Sequence, residues 1–377
     1  MLNLKVLTQA AKIFFTKKKV PFYAYLSLTQ ACNLTCSYCF TNSPEMVKNK
    51  KLDPLLNTKK IKEVIDELWD LGSRMLSLAG GEPMLRGDIG EIISYSKKKG
   101  FFTQLYTNGT RSFEKNIDYI KKLDHLLISI EGPKDIHDLD RRDIHGAGSF
   151  DRIFENIKYL RKNKIVFTIV YSASLNNMMH IRRFLDECNE NYGFIPNTVI
   201  AEVLANETSI EKNKTYPSHN QLKLFWQEVK ILKEEGYPIF MSIEQMNDLI
   251  IASDGNTKIH LTDLYYTKDK IPKELQSYAP CSWGKYGIFF DPSGYMYPCP
   301  KLYDNKKYGE NAFKVGFKNA YKKVSNLDCI MCRGTVNSAM TKLLHMNLKS
   351  CTYTVYQATK YYFRRKLNKN KVLRKDI

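Results

Sequence analysis

Three cysteines stand close together near the start of the chain, as Cys32-x-x-x-Cys36-x-x-Cys39. Thiolates are preferred ligands of iron–sulfur clusters and of zinc. Three thiolates from one short loop can bind three irons of a [4Fe–4S] cubane and leave the fourth iron open, as catalysis requires. The alternative is a zinc site in which Cys36-x-x-Cys39 supplies half of the ligands. The spacing of the three cysteines favours the open cluster.

A second set of cysteines lies near the other end of the chain. It consists of Cys281, Cys299, Cys329 and Cys332. Four thiolates make a closed site, which suits zinc and a fully ligated [4Fe–4S] cluster equally well. Of the remaining cysteines, Cys188 is predicted to be a core residue, and Cys351 is the reserve ligand in place of Cys281.

The elements that must position the first cysteine loop form a regular alternation. Six near-continuous apolar runs read as strands buried on both faces of a parallel sheet. They are Tyr23–Leu28, Met75–Ala79, Phe102–Thr107, His125–Ile130, Ile165–Tyr171 and Thr198–Leu204. Helical patterns separate them, the first with Thr58 as its predicted N-cap. The alternation predicts an α/β fold with a partial (βα)6 barrel of the TIM type, in which loops after the strands carry the chemistry.

From about Ser218 onward the alternation stops. Two helical patterns follow, at Leu222–Glu235 and Ile243–Ala252, and then a hairpin around Asp291-Pro292-Ser293-Gly294 and a helix at Phe313–Val324. This part predicts a small α+β cysteine-rich domain. The predicted units are an N-terminal amphipathic helix (1–21), the barrel (22–215), a helical connector (216–278), the cysteine-rich domain (279–340) and a basic tail (341–377).

The chain carries a large positive charge, +19 over 377 residues. Such a charge attracts nucleic acid, an anionic membrane surface or an acidic partner, although a lysine-rich surface alone would also produce it. The stretch 360–375 is basic, contains Tyr361, Tyr362 and Phe363, and has no acidic residue. Together with the basic N-terminal helix it suggests peripheral contact with an anionic membrane. The alternative, preferred for the helix, is that the N-terminal helix caps the open end of the barrel and that the tail is only solvated. Without an eighteen-residue apolar stretch or a signal peptide, the chain is expected in the cytoplasm, with the inner face of the membrane as the alternative location.

The first cysteine loop and four later motifs resemble the radical S-adenosylmethionine (SAM) superfamily. The loop Cys32–Phe40 is similar to the signature of the family, whose aromatic residue before the last cysteine, here Tyr38, lies against the adenine. Gly80-Gly81-Glu82-Pro83 resembles the GGEP motif that binds the amino group of SAM, and Thr107-Asn108-Gly109 resembles the family's TNG motif.

The fourth and fifth motifs come from the end of the fourth strand and the segment after it. Ser129-Ile130-Glu131-Gly132 is similar to S-x-D-G, with Glu131 in place of the aspartate. Arg141 matches an arginine that approaches the substrate carboxylate in the family, with Arg142 as the competing choice. The resemblance implies a cofactor site made of Tyr38, Gly80, Gly81, Glu82, Thr107, Asn108, Ser129 and Arg141.

The resemblance also implies a reaction and its cofactors. A [4Fe–4S] cluster on Cys32, Cys36 and Cys39 would cleave SAM reductively, and the 5′-deoxyadenosyl radical would take hydrogen from an unactivated C–H bond of a small molecule, lipid or peptide. An electron donor such as a flavodoxin or ferredoxin would be needed. The cysteines at 281, 299, 329 and 332, with Gly294 five residues before Cys299, resemble the SPASM and twitch extensions. Because only Cys351 remains downstream, the shorter twitch-like form with one auxiliary [4Fe–4S] cluster is expected.

Three alternatives remain for the function. The first is a peptide- or protein-modifying maturase, which would need a separate leader-binding partner because only residues 1–21 precede the barrel. The second is an RNA-modifying radical enzyme, although the chain has no RNA-binding module and nucleic acid is an unlikely partner. The third, outside the family, is a structural zinc protein with four-cysteine sites.

Overall fold

In the part of the chain that the structure describes, the fold is built on one nine-stranded sheet with the strand order β6-β5-β4-β3-β2-β1-β7-β8-β9. The structure, a computed structural model, describes residues 4–39, 56–202, 217–253 and 282–326. The strands are β1 (Tyr23–Ser27), β2 (Met75–Ala79), β3 (Phe102–Thr107), β4 (His125–Ser129), β5 (Thr168–Ala173), β6 (Thr198–Glu202), β7 (Gly287–Phe290), β8 (Tyr295–Tyr297) and β9 (Glu310–Asn311).

Helices connect the strands. They are α1 (Leu4–Thr16), α2 (Thr58–Asp70), α3 (Ile89–Lys99), α4 (Ile117–Ile120), α5 (Lys134–Asp140), α6 (Phe150–Lys162), α7 (Ile181–Tyr192), α8 (His219–Glu234), α9 (Ile243–Ala252), α10 (Ala312–Val315) and α11 (Phe317–Val324). Strands β1 to β6 are neighbours in chain order, and every pair among them is parallel. The predicted α/β fold with a partial parallel barrel is therefore confirmed.

The hairpin formed by β7 and β8 continues the barrel sheet. Strand β7 pairs in parallel with β1, with Tyr23 opposite Gly287 and Leu26 opposite Phe290, and β8 returns antiparallel to β7. This hairpin, predicted as part of the C-terminal cysteine-rich domain, is therefore hydrogen-bonded to the strand that leads into the first cysteine loop. The division of the chain into domains stays a prediction.

One face of the sheet packs against the helices through apolar side chains. Ala24, Leu26, Leu78, Leu105 and Ile128 are fully buried there in the main hydrophobic cluster. Burial of this kind on parallel strands explains why the six runs are nearly continuous in apolar residues. The alternate residues of each strand point to the opposite, inner face of the barrel.

On the inner face, polar side chains form a hydrogen-bonded chain across five strands. The Tyr23 hydroxyl lies 2.8 Å from Ser77 Oγ, and Ser77 Oγ donates to Gln104 Oε1 at 3.0 Å. Gln104 Nε2 donates to His125 Nδ1 at 3.0 Å, and His125 Nε2 lies 2.8 Å from Thr168 Oγ1. Because Ser77 uses its proton toward Gln104, Tyr23 must donate to Ser77. Because Nδ1 of His125 accepts, its Nε2 carries the proton and donates to Thr168.

Helix α1 closes the amino-terminal end of the barrel. Val6 and Ile13 are buried in a cluster with Phe22, and Met75 and Phe102 pack against it. These last three residues stand at the beginning of β1, β2 and β3, so the helix covers the ends of the strands opposite to the cysteine loop. Among the described helices, none is both long and apolar enough to cross a bilayer.

Two local predictions were wrong. The N-cap of α2 is Asn57, whose side chain accepts from the Lys60 amide at 2.8 Å, because the Thr58 hydroxyl instead donates to Asp88 at 2.6 Å. The helix predicted at 313–324 is interrupted at Gly316, which has a φ of 83°. Gly316, with its positive φ, ends α10, and α11 begins at the next residue.

The polar chain of the inner face yields a stability prediction. Replacing Gln104 with Leu leaves the Ser77 hydroxyl and His125 Nδ1 without their partner, and we expect the free energy of unfolding to fall by about 1–3 kcal/mol. Gln227→Leu, at an exposed position of α8, is the matched control and should change it by less than about 0.5 kcal/mol. Urea unfolding of both variants measures the difference. Equal stabilities of the two variants would show that the hydrogen-bonded polar side chains of the inner face do not contribute to the free energy of unfolding.

Candidate active site at the carboxyl ends of the strands

The three cysteines lie on the loop that follows β1. Cys36 is buried, and Cys32 and Cys39 are partly exposed. Cys36 forms a small apolar cluster with Leu34 and Tyr38, and the other two cysteines pack against it. A hydrogen bond from the Cys39 amide to the Cys36 carbonyl, at 3.2 Å, closes the turn between them. The structure therefore brings the three thiols together at one patch.

The cysteine loop is fastened to the segment after β4. The Thr35 amide donates to the Arg142 carbonyl at 2.8 Å, and the Ser37 amide donates to the Asp140 carbonyl at 3.1 Å. The Ser37 hydroxyl also donates to the Asp140 carboxylate at 2.6 Å. This carboxylate further accepts from Asn176 Nδ2 at 2.9 Å, beyond the end of β5. Asp140 thus joins three loops, and its position beside Arg141 was the only sequence signal for it.

The glycine-rich loop after β2 packs directly on the backbone that precedes the cysteines. The Gly81 amide donates to the Thr29 carbonyl at 2.6 Å. A Cβ on Gly80 would lie 2.4 Å from the Thr29 oxygen, and one on Gly81 would lie 2.2 Å from the Ala31 oxygen. Gly80 also has a φ of 134°. Only glycine permits this approach, so both residues set the path of the chain into Cys32.

Glu82 connects the loops after β2 and β3. Its carboxylate is fully buried and accepts from the Met84 amide at 2.8 Å, the Thr107 hydroxyl at 2.8 Å and the Asn108 amide at 2.6 Å. Burial raises the pKa of Glu82, while these hydrogen bonds and the charge of Arg141 lower it. The predicted role was acceptance from an ammonium group. In the structure the carboxylate already holds the Thr107–Asn108 turn in place.

Asn108 links that turn to the first cysteine. Its side-chain nitrogen lies 3.9 Å from Cys32 Sγ and donates to Asn33 Oδ1 at 3.0 Å. Asn33 in turn donates to the Thr110 hydroxyl at 2.8 Å. Sulfur accepts only weak hydrogen bonds. A charged thiolate at this position would be stabilised by the same amide.

A buried guanidinium forms the back of the site. Arg141 Nη1 donates to the Tyr38 hydroxyl at 2.9 Å and to Glu131 Oε1 at 3.3 Å, and the guanidinium is nearly inaccessible to solvent. Burial lowers the pKa of Arg141, but Glu131 and Tyr38 raise it above its ordinary value. Within the described residues, the buried atoms Arg141 Nε and Glu131 Oε2 have no hydrogen-bond partner.

His137 holds the chain between Glu131 and Arg141 in shape. Its Nδ1 accepts from the Glu131 amide at 3.1 Å, and its Nε2 lies 3.0 Å from Ser149 Oγ. Because Ser149 uses its proton toward the Arg141 carbonyl at 2.7 Å, His137 Nε2 must be the donor. Burial lowers the pKa of His137 well below its usual value, and the charges of Arg141 and Lys134 lower it further. The imidazole is therefore neutral, and its two hydrogen bonds hold the backbone between Glu131 and Arg141 in position.

The two candidate arginines differ in burial and in the direction of their side chains. Arg142 is exposed, and its Nε donates to the Asp138 carbonyl at 2.9 Å. Arg141 is the one that points into the site. Ser129, the last residue of β4, is half-buried and pairs with Val170 in the sheet, which places it at the same edge as the cysteine loop.

The donor set fits a [4Fe–4S] cluster. Burial raises the pKa of Cys32 to about 11 and that of Cys36 to about 12, so the thiols hold their protons until a metal displaces them. Across the described residues, no three Cys, His, Asp or Glu side chains are grouped closely enough to hold a single metal ion. A cubane places each thiolate on a different iron, so its ligands stand farther apart than those of one ion.

Of the second set of cysteines, only Cys299 lies within the described residues. It is partly exposed and follows β8, the antiparallel strand of the hairpin. Gly294 has a φ of 88° at the hairpin turn, and a Cβ there would lie 2.2 Å from the Phe313 ring. Cys281, Cys329, Cys332 and the reserve residue Cys351 lie outside the described residues, as does the basic stretch 360–375. Cys188 is buried in α7, as predicted.

Known proteins share this sequence pattern and this fold. The model of the Radical SAM superfamily matches residues 26–187. An AdoMet-dependent heme synthase of Methanosarcina barkeri is 32% identical over 43% of this chain and 46% of its own length. The chain spans about half the length of the curated relatives it matches.

Two solved structures share the fold. One is native anSMEcpe with bound AdoMet, with a TM-score of 0.61 and 16% identity, covering 92% of this chain and 98% of that one. The other is Streptococcus suis SuiB bound to the precursor peptide SuiA, with a TM-score of 0.60 and 16% identity, covering 85% and 70%. The family match, together with the cysteine loop and its surroundings, identifies residues 26–187 of this chain as a radical SAM domain.

Proposed function

We propose that this chain is a radical SAM enzyme in which Cys32, Cys36 and Cys39 hold a [4Fe–4S] cluster and SAM binds beside it. When bound, the cluster supplies the electron that breaks a C–S bond of SAM, and the resulting 5′-deoxyadenosyl radical takes hydrogen from a C–H bond of the substrate. One observation carries the proposal: Arg141 Nε and Glu131 Oε2 are buried and unpartnered beside the cysteine loop.

Buried polar atoms without partners are unfavourable unless a ligand completes their hydrogen bonds. Arg141 Nε is a charged donor and suits the carboxylate of SAM, whereas Glu131 Oε2 is an acceptor and suits a hydroxyl or ammonium group. Tyr38, whose hydroxyl is held by Arg141, would present its ring to the adenine. The glutamate that replaces the aspartate of the family pattern is thus assigned to the same site.

The remaining predicted residues divide into two kinds. Gly80, Gly81, Glu82 and Thr107 set the paths of the loops through contacts within the protein, so we propose that they position the site. Asn108 contacts both the cysteine loop and the turn after β3, and we propose that it stabilises the thiolate of Cys32. For Ser129, at the carboxyl end of β4, we propose a direct contact with SAM.

For the second cysteine set, we propose one closed auxiliary [4Fe–4S] cluster of the twitch kind, bound by Cys281, Cys299, Cys329 and Cys332. Three described segments support it by meeting in one place. The Gly284 amide donates to the Pro298 carbonyl at 2.9 Å, and a Cβ on Gly284 would lie 3.1 Å from the Val324 oxygen. Each of these three residues is within five positions of a predicted ligand.

We further propose that the substrate is a small molecule, a lipid or a peptide, and that a flavodoxin or ferredoxin supplies the electron. Peptides are the first class to test, because SuiB of the same fold was solved with a precursor peptide. In that case a separate leader-binding protein is the expected partner. Tetrapyrroles come next, because a curated relative is a heme synthase. SAM cleavage by the reduced enzyme with each candidate substrate, followed by mass spectrometry for 5′-deoxyadenosine, separates these classes.

The iron content tests the two clusters. After anaerobic reconstitution we expect about eight irons per chain, falling to about four in the Cys32/Cys36/Cys39→Ala variant. Cys188→Ala removes a buried thiol that belongs to neither set and should leave the count unchanged. A fall from about four to none would assign the C-terminal set to zinc. Zinc in place of iron in the wild type would contradict the proposed function itself.

The two adjacent arginines test the SAM site. Arg141→Gln removes a charge-assisted contact to the carboxylate, and we expect SAM binding, measured by equilibrium dialysis on the reconstituted protein, to weaken about tenfold or more. Arg142→Gln is the matched control and should bind as the wild type does. Iron content and unfolding temperature report on folding of the variant. Equal weakening by both changes would show that Arg141 has no direct contact.

A further inference from the structure

Helix α1 is apolar on two opposite sides. Val6 and Ile13 face the barrel and are buried. On the other side, Leu4 is 74% exposed, Leu7 49% and Phe15 81%. With 3.6 residues per turn, these three project away from the side that holds Val6 and Ile13. A helix that only covers a core carries polar residues on its outer side, so this outer side requires another explanation.

Positive charge borders the exposed apolar side. Lys5 and Lys12 lie along one edge of the helix, and Lys17, Lys18 and Lys19 follow its end; all five are exposed. Two of them also have contacts within the protein: Lys5 lies over the Trp69 ring, and Lys19 donates to the Ser325 carbonyl and to Asn326 Oδ1. The first 44 residues of the chain contain no aspartate or glutamate. An apolar helix side with lysines at its margin is the pattern that binds the interface of an anionic bilayer.

The same end of the barrel carries further lysines. They stand on the turns that lead into β3, β4 and β5, and the exposed ones are Lys98, Lys121, Lys122, Lys162 and Lys164. The acids nearby are largely paired: Asp66 with Lys99 at 2.6 Å, Asp118 with Lys121 at 3.0 Å, and Asp124 with Lys97. Further exposed acids at this end are Glu67 and Asp70 in the last turn of α2, Glu190 in the last turn of α7 and Glu234 at the end of α8. Close to α1 the lysines still outnumber them, so the surface around this helix is positive.

We propose that α1 is an interfacial anchor that holds this protein on the surface of an anionic lipid bilayer. Leu4, Leu7 and Phe15 enter the boundary between headgroups and acyl chains, and the lysines contact the lipid phosphates. A second copy of the chain would bring two lysine-bordered faces together, and the stretch 360–375 is itself basic. Both would add like charges, whereas an anionic bilayer neutralises them.

This placement fixes the orientation of the candidate active site. Helix α1 covers the amino ends of the strands, and the cysteine loop lies at their carboxyl ends. The site therefore faces away from the bilayer. The anchor rests on exposure and charge alone and does not depend on the proposed radical chemistry.

Vesicle sedimentation tests the anchor with the full chain. We expect binding to vesicles of phosphatidylcholine and phosphatidylglycerol in equal parts, and little binding to phosphatidylcholine alone. Leu7→Gln/Phe15→Gln should weaken binding about tenfold or more. Lys12→Gln/Lys18→Gln should weaken it about fivefold for each lysine. The control is Leu224→Gln/Ile231→Gln, which changes residues of α8 that are 55% and 45% exposed, and it should bind as the wild type does.

Three results would overturn the proposal. One is a wild type that does not sediment with the anionic vesicles. Another is a Leu7→Gln/Phe15→Gln variant that binds as tightly as the wild type while unfolding at the same temperature. The third is a wild type that forms a dimer in analytical ultracentrifugation while the Leu7→Gln/Phe15→Gln variant is a monomer. The exposed side of α1 would then be the contact surface for a second copy of the chain.

Discussion

The buried charge of Arg141 is the constraint on which the candidate site depends. A guanidinium removed from water must be compensated by partners, and Tyr38 and Glu131 provide them. Tyr38 belongs to the cysteine loop, and Glu131 follows β4. The compensation therefore joins the two loops across the mouth of the barrel, and the neutral His137 fixes the backbone between Glu131 and Arg141. Arg141 Nε and Glu131 Oε2, the two atoms left without partners, are the reason for proposing that this cluster also binds a ligand.

The parallel sheet makes such a constraint possible. All of the strands from β1 to β6 run in one direction, so the loops after them meet at one edge. Within that edge the contacts are specific. Gly80 and Gly81 allow the backbones of two loops to touch, and Glu82 ties the next loop to them. The cysteine loop is thus positioned from both neighbouring directions before any metal is bound.

At the opposite end of the barrel the main interactions are apolar packing and hydrogen bonds between neutral side chains. There, α1 seals the core with Val6 and Ile13, and the polar chain from Tyr23 to Thr168 crosses the inner face. The carboxyl end of the sheet thus carries the candidate active site, and the amino end is covered by α1. The proposed membrane contact belongs to the closed end, where no loop of the candidate site has to move.

The sequence by itself determined the family resemblance and the parallel α/β barrel, and it predicted the cysteine ligands, because each is encoded locally, in spacing or in apolar periodicity. It preferred Arg141 to Arg142 only through the resemblance to the family, since neighbours in sequence differ only in the direction that the backbone gives them. It also did not reveal Asp140, the role of Glu82 as a brace or the pairing of β7 with β1. These depend on contacts between segments far apart in the chain, and only the tertiary structure decides which of them meet.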